Sequence, residues 1–426
     1  MNTPVLHYPD TTSLLGLRRT PGRPLEFLDA LAHRGDFVPF TLAHRPAVLL
    51  NRPDYVSMVL VSEASKFQKG RANQRARHLL GSGLLTADAS LHAERLKVIQ
   101  PAFARRRHGE FVADVVSRAS AMCDRWHRGS VVSVTDEIGE LAFCIVGHTI
   151  VGADVSGDFR EVKAAAADAT ASLDPLLSLV APIPKVRRAH ARLRRVVHAL
   201  ALRASDAAPE GSLLALLNAG AIAEPASEQR TDDLLTVLLA GYDTITSALT
   251  WAWALLSAHP AVEAKMRDEV DAVLGLRAAT QADVPNLVYT RGVIAEALRL
   301  HPPAWVLARH AVETHRFDAG EISRGTTVLV SQYLLHRDPR FFAHPAVFDP
   351  ARWMVRERSA LPRFAYFPFG AGPRSCIGES FAWLESVLLL ATVAQRCRLQ
   401  AIGRAFPEID ARMTLRPRGP VLMTVC

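Results

Sequence analysis

The sequence predicts an α+β fold with a helical majority, built as a single domain over residues 1–426. Three observations predict it. Apolar residues recur at three- and four-residue spacing from about Ala113 to Leu300, the period of amphipathic helices. Strand-like runs collect in two regions, one near the amino terminus and one around Thr326 to Val330, which predicts two small β-sheets. No Gly/Ser-rich or Pro-rich linker divides the chain, and 49% apolar with 22% charged residues suits one large core.

Taken in order, Phe37-Val38-Pro39-Phe40 and Ala47-Val48-Leu49-Leu50 flank the turn-like His44-Arg45-Pro46 and read as a hairpin. The helical region is broken at Pro175, Pro182, Pro184, Pro225, Pro260 and Pro285. Asp174 to Pro184, with three prolines between helical flanks, reads as a mobile lid. One long apolar helix is predicted from about Thr231 to His259. The final helix, Gly378 to Arg396, is apolar nearly all round through Leu388, Leu389 and Leu390, and is expected to be buried.

Composition bounds the function. There is no run of about 18 uncharged apolar residues, and the stretch MNTPVLHYPDTTSLLGLRR lacks the pattern of a signal peptide, so a cytoplasmic protein without a membrane span is expected. Five scattered cysteines without a C-x-x-C pair argue against a disulfide framework and a structural zinc site. The net charge of +8 is locally concentrated, in Arg105-Arg106-Arg107 and in Lys185 to Arg195. The second cluster, interleaved with Leu193, Val196 and Val197, reads as a solvated helix face, and no nucleic-acid partner is expected.

The most informative stretch is Phe369-Gly370-Ala371-Gly372-Pro373-Arg374-Ser375-Cys376-Ile377-Gly378, a Gly-rich loop that delivers a cysteine to the start of the last helix. Free N–H groups and the helix dipole there favour a thiolate suited to ligate a metal. Gly372 and Gly378 would let backbone approach a flat cofactor, and Arg374 offers a cation to acidic groups on its edge. Read without further context, a capped turn with an inert cysteine is as good an account. A second motif, Ala240-Gly241-Tyr242-Asp243-Thr244-Ile245-Thr246, places Gly beside an acid and a hydroxyl within the long helix, where Thr can bond the carbonyl one turn back and open a groove. A third, Glu296-Ala297-Leu298-Arg299, puts carboxylate and guanidinium on one helix face, and Phe348-Asp349-Pro350-Ala351-Arg352-Trp353 adds an arginine in a Pro-anchored loop.

Together these motifs resemble the cytochrome P450 family over nearly the whole chain and in the family's order. The loop matches Phe-x-x-Gly-x-Arg-x-Cys-x-Gly at every specified position. The resemblance implies that Cys376 is the axial thiolate ligand of heme b, iron protoporphyrin IX, with Phe369, Gly372, Arg374 and Gly378 around it. It implies that Asp243 and Thr244 guide protons to the oxygen site, with Ile245 departing from the usual Thr or Ser. Arg309 and His92 would hold heme propionates. The arginine usual four residues after such a histidine is Leu96 here, and Lys97 would replace it imperfectly. Glu296, Arg299 and Arg352 would be structural, locking the segment behind the cysteine loop.

The function implied is a heme-thiolate monooxygenase that inserts one atom of dioxygen into a lipophilic small molecule such as a terpenoid, polyketide or fatty acyl compound. A peroxygenase or rearranging heme-thiolate enzyme, and a non-catalytic P450-like binding protein, are the alternatives. Nothing resembles a G-x-G-x-x-G nucleotide unit or a fused reductase, so electrons from NAD(P)H are expected through an external ferredoxin or flavodoxin with its reductase, docked on Arg105 to Arg107 at the close of the helix that begins near His92. Ala72 to Leu85, Asp174 to Pro184, Leu235 to Leu239, Trp305 to Leu307 and the turn near Met413 are the expected pocket linings, with Arg412 as an exposed turn residue or a carboxylate anchor.

Overall fold

The computed structural model describes residues 6–7, 23–42, 45–70, 76–77, 80–170, 183–204, 207–219, 228–354, 361–403 and 406–426. Its first half runs β1 (Leu6–His7), α1 (Arg23–Ala32), β2 (Phe37–Leu42), β3 (Arg45–Leu50), α2 (Pro53–Ser57), β4 (Phe67–Gln68), α3 (Ala89–Ile99), α4 (His108–Asp124), β5 (Val131–Ser133), α5 (Val134–Val146), α6 (Phe159–Thr170) and α7 (Ile183–Ala204). The second half runs α8 (Leu213–Ala219), α9 (Glu228–Ala258), α10 (Pro260–Leu274), α11 (Val288–Leu300), β6 (Leu307–Ala311), β7 (His315–Phe317), β8 (Gly320–Ile322), β9 (Thr327–Val330), α12 (Gln332–Leu335), α13 (Glu379–Arg396), β10 (Leu399–Ala401), β11 (Ile409–Ala411), β12 (Leu415–Pro417) and β13 (Leu422–Val425).

The helical majority is as the periodicity predicts, but the sheets are not two. Among the described residues there are four, of six, three, two and two strands. The hairpin of β2 and β3 joins the later strands directly: Ala47, Val48 and Leu49 pair in parallel with Thr327, Val328 and Leu329, giving the order β1-β2-β3-β9-β6-β4. Val48, Leu49, Leu50, Val328, Leu329 and Val330 are all buried. A strand apolar on both faces needs cover on both, and the partner supplied from nearly 280 residues away leaves no local trace. The hairpin turn also moves. Arg45 and Pro46 lie within β3, opposite Leu42 and Thr41.

Two helices organise the core. α9, 31 residues long, is buried through Leu234, Leu235, Leu238, Leu249, Trp251 and Trp253. Among the described residues it is the one helix long and apolar enough to cross a membrane, and 72% of its apolar window is buried inside the fold. Gly241 explains how closely α5 crosses it, since a Cβ there would meet Val146 Cγ2 at 2.8 Å. α13 is buried as expected and packs on α4, with the Phe381 and Phe111 rings edge to face at 5.5 Å.

Among the described residues, two of the prolines read as breaks open helices and a third sits in a tight turn. Pro260 occupies the first turn of α10 and Pro184 that of α7, positions where the missing N–H costs nothing. Pro285 lies inside a 3-10 turn, Gln281–Asn286. Pro175, Pro182, Pro225 and nearly all of the expected lid lie outside the described residues. The basic run in α7 covers buried Leu193 and Val197, and its Arg192 pairs with Glu161 of α6, so this face is an interhelical ion-pair seam as well as a solvated one.

Behind the final helix, the chain from 336 to 354 is organised by one charge pair. Glu296 and Arg299 are both fully buried, 2.8 Å apart. A carboxylate without water must find every hydrogen bond within the protein. Glu296 accepts from Arg299, from Arg352 Nε at 3.0 Å, from the Trp353 indole at 2.8 Å and from the Asp349 amide at 3.1 Å. Arg299 spends its remaining donors on the carbonyls of His336, Pro345 and Val347. The structural role expected of Glu296, Arg299 and Arg352 therefore has a physical basis. Replacing Arg299 by Ala leaves the carboxylate buried without its bidentate cation, with only Asp349, Arg352 and Trp353 still donating to it, and is expected to cost about 3–5 kcal/mol. Denaturant unfolding of wild type and Arg299→Ala measures it. A loss below about 1 kcal/mol, the size of a surface pair, would contradict this reading.

Candidate active site

The cysteine loop inherits its position from that network. His336, whose carbonyl binds Arg299, is fully buried, and burial holds its imidazole far below the usual histidine range. The neutral ring accepts the Phe367 amide on Nε2 at 3.0 Å, fixing the approach to the loop. The Cys376 amide then bonds the Phe369 carbonyl at 2.9 Å, and Phe369 packs on Trp383 of α13 at 5.7 Å. Gly372 has φ +69°, and a Cβ would come within 1.8 Å of the Leu60 carbonyl oxygen. Its smallness serves this close approach to the turn Met58–Ser62. At Gly378 a Cβ would make ordinary contacts with the protein, 3.5 Å to Phe103 and 3.9 Å to Cys376 Sγ.

The Cys376 side chain is open to solvent at the start of α13. Even so, the protein massed around the thiol pushes it up to about 11, with only the Gly378 N–H acting in the opposite direction. This burial opposes the lowering expected from the helix terminus. A metal ion, the strongest local charge such a site can hold, would deprotonate the thiol outright.

Beside the thiol loop lies a concentration of positive groups. Arg309, on β6, is 7% exposed and is lowered to about 10 by burial and by Arg374. Arg374 reaches the Ala87 carbonyl with Nη2 at 2.9 Å, while its Nη1 is buried without a hydrogen-bond partner. His92, on α3, is lowered to about 4 by desolvation and by the charges of Arg374 and Lys69. Lys69 is held well below its usual range by burial, Arg374 and Arg309, and donates to the Leu85 carbonyl. Lys69, His92 and Arg309 are each depressed by burial and by the charge of Arg374, whose own cation is helped only by Asp88, and with the orphaned guanidinium N–H they mark a place suited to negative charge. The sequence brought out Arg309, Arg374 and His92 but missed Lys69, whose only signal is a lysine directly after the short strand β4. Lys97 does not substitute for the absent arginine, because it is exposed on α3. Arg95, one residue earlier than Leu96, is buried against Asp233 of α9.

On α9 the Thr244 hydroxyl bonds the Ala240 carbonyl at 2.9 Å and Thr246 bonds that of Tyr242 at 2.6 Å, as the back-bonding argument expects. The helix nevertheless continues unbroken through both. Ala240 is exposed, and Asp243 and Thr244 are half-buried along one side. The surrounding protein raises the Asp243 carboxyl above its ordinary value, opposed by Arg416 and by a 2.8 Å hydrogen bond from Thr414, a partner the sequence did not suggest.

Of the expected pocket linings, Leu84 and Ser82 are held to the start of α9 by amide bonds to Asp233 and Asp232, of 2.9 and 2.8 Å. Leu85 and Met413 are exposed apolar residues. Residues 71–75 and 78–79 lie outside the described residues, as does most of the Asp174 to Pro184 segment. Trp305 is only 1% exposed and belongs to the core around Leu329 and Leu415, so it is not lining. Leu235 and Leu238 are likewise core. Arg412 is paired with Asp410 at 2.9 Å and is not a free anchor. Arg105 to Arg107 form a 3-10 turn of their own, after α3 has ended at Ile99. Arg105 and Arg106 are exposed, but Arg107 is buried, bonded to Glu110 and the Ala102 and Gly211 carbonyls.

The open thiol on its loop, the basic groups beside it and the acid–alcohol pair on the central helix are the residues that the resemblance assigns to a heme-thiolate site. The cytochrome P450 family model matches residues 7–425, and the chain belongs to that family. Similar curated proteins include a cyclooctatin synthase of Streptomyces melanosporofaciens, 35% identical with 94% of this chain and 91% of the relative covered. A cyclooctat-9-en-7-ol 5-monooxygenase of the same organism is 33% identical, covering 89% and 86%. A pentalenene oxygenase of Streptomyces avermitilis is 30% identical, covering 92% and 89%. The protein is an oxidoreductase, a P450 monooxygenase, and membership brings heme, electrons from a redox partner and a lipophilic substrate. The residues present fit heme: the orphaned Arg374 N–H with Arg309, Lys69 and His92 near it suits carboxylates, and the Cys376 thiol suits a metal.

Proposed function

We propose that this chain, as one heme-thiolate unit over residues 1–426, oxidises an unsaturated cyclic lipophile of the terpenoid class by hydroxylation or epoxidation. The open Cys376 thiol beside an unneutralised cationic patch carries the heme-thiolate part, and the names of the three relatives support the substrate class. Heme b, when bound, supplies dioxygen activation and electron storage. Cys376 provides the thiolate, and Arg374, Arg309, Lys69 and His92 take the two propionates. Neutral His92 still has an N–H to donate, and a carboxylate beside it would raise its pKa from the present value of about 4. Phe369, Gly372 and Gly378 shape the loop around the sulfur.

Asp243 and Thr244 handle protons. The raised Asp243 carboxyl holds a proton closer to neutrality than an exposed aspartate does, which suits a group that must both give and regain one. Thr244 already donates to Ala240, leaving its oxygen lone pairs free to accept. Electrons from NAD(P)H arrive through a ferredoxin or flavodoxin with its reductase, in the cytoplasm. Arg105 and Arg106 are the exposed charges of the proposed docking turn, while Arg107 belongs to the core.

Three measurements test these assignments. Titrating the heme-loaded protein with unsaturated cyclic terpenes is expected to move the heme absorbance from low spin to high spin, a response that Cys376→Ser loses. No shift with any member of such a set would remove the substrate class. Thr244→Ala is expected to keep consuming reduced cofactor while product per electron falls and hydrogen peroxide rises, as loss of a proton-relay group predicts. Full coupling would take Thr244 out of the relay. Replacing Arg105 and Arg106 together by Glu is expected to slow electron transfer from an acidic ferredoxin at low salt and to flatten its salt dependence. Identical rates and slopes would place docking elsewhere.

A further inference from the structure

The hairpin of β11 and β12 is fastened along α9 by side chains that share one stripe of that helix. Asp243, Ser247 and Trp251 are spaced by four residues and so stand one above the other. Ser247 Oγ and Trp251 Nε1 both donate to the Leu415 carbonyl, at 2.6 and 3.0 Å. The Leu415 amide bonds the Pro303 carbonyl at 3.0 Å, and Trp305 Nε1 bonds that of Arg412 at 2.9 Å. Thr414, the residue between these anchors, donates its hydroxyl to Asp243 Oδ2 at 2.8 Å.

We propose that Thr414 is a positioning residue for Asp243, holding its carboxyl in one orientation through a neutral hydroxyl where an ion pair would lock it ionised. The inference rests on the reading of Asp243 as a proton-delivering acid. The charged groups around the carboxyl are arranged to permit it. Arg416, the nearby cation on β12, is drawn instead towards Asp410 on β11, at 3.6 Å, and Arg412 pairs with the same aspartate. On its own helix Asp243 adjoins Tyr242, which is buried against Phe143 and Phe159 and pushed above its normal value. Among the described residues no ion pair holds Asp243. A salt bridge would fix it as a carboxylate at every working pH, whereas a single hydroxyl donor favours the ionised form modestly and leaves it able to take a proton. Because the donor comes from a hairpin pinned at Leu415, the orientation is imposed by tertiary structure and not by α9.

The sign of the effect is fixed. The Thr414 O–H stabilises the charged carboxylate, so removing it raises the pH at which Asp243 ionises. The test is infrared titration of substrate-free ferric holoenzyme, with the Asp243 carboxyl band identified by subtraction of the Asp243→Asn spectrum. Thr414→Val is expected to shift the midpoint upward by about one pH unit, the scale of one lost hydrogen bond to a charged group, and Thr414→Ser to restore it to within a few tenths. Thr414→Ala removes the hydroxyl without added branching, should valine disturb the hairpin. A wild-type midpoint in both the valine and alanine variants overturns the proposal. The ratio of product to peroxide is read separately in Asp243→Asn, where full coupling would remove the proton-delivery reading, while the infrared midpoint judges the Thr414 contact.

Discussion

The buried carboxylate of Glu296 is the constraint from which the proximal half of this protein is built. Desolvating an anion is costly unless each lone pair is met, and four donors drawn from α11 and the 349–353 segment meet them. Those donors dictate where the chain from 336 to 354 must run. Arg299 extends the network to the His336 carbonyl, and the His336 ring extends it to the Phe367 amide. The cysteine loop is thus connected by a short series of directional bonds to a pair of charges that cannot move without exposing one of them.

The site is less comfortable than its scaffold. Burial lowers Arg309, Arg374, Lys69 and His92, the charge of Arg374 lowers the other three further, and Arg374 keeps a buried N–H unmet. Burial, with Glu379 beside it, pushes the Cys376 thiol up. Both departures from local comfort have the sign that a dianionic, metal-bearing ligand would relieve: carboxylates among the cations, and a metal on the sulfur. Stability is given up where binding will restore it, the usual arrangement of a functional site.

α9 joins this half to the distal one. Its buried leucines and tryptophans make it the core helix, while its exposed turn at Ala240 and the half-buried Asp243 and Thr244 are left for chemistry. Its contacts with neighbours are specific in kind. Gly241 admits α5 because a Cβ would strike Val146, and the stripe from Asp243 to Trp251 receives the β11–β12 hairpin through hydrogen bonds. Asp243 therefore accepts a hydrogen bond from a segment some 170 residues further along the chain.

What the sequence determined by itself was whatever local spacing or a complete motif could carry. The helical period, the buried last helix, the i, i+3 pairing of Glu296 with Arg299 and the Thr244 bond to Ala240 are all short-range, and the ten-residue cysteine loop was legible as a unit. What only the tertiary structure decided were contacts between residues far apart in the chain. The merging of β3 with β9, the turning inward of Arg107, the need for Gly372 imposed by the Leu60 carbonyl, the capture of Arg95 by Asp233, and the arrival of Lys69 and Thr414 at the site belong to this class. A side chain's period reports which face of its own helix or strand it occupies. It contains nothing about which distant carbonyl, charge or strand will fill the space opposite, because that partner is selected by the packing of the whole chain.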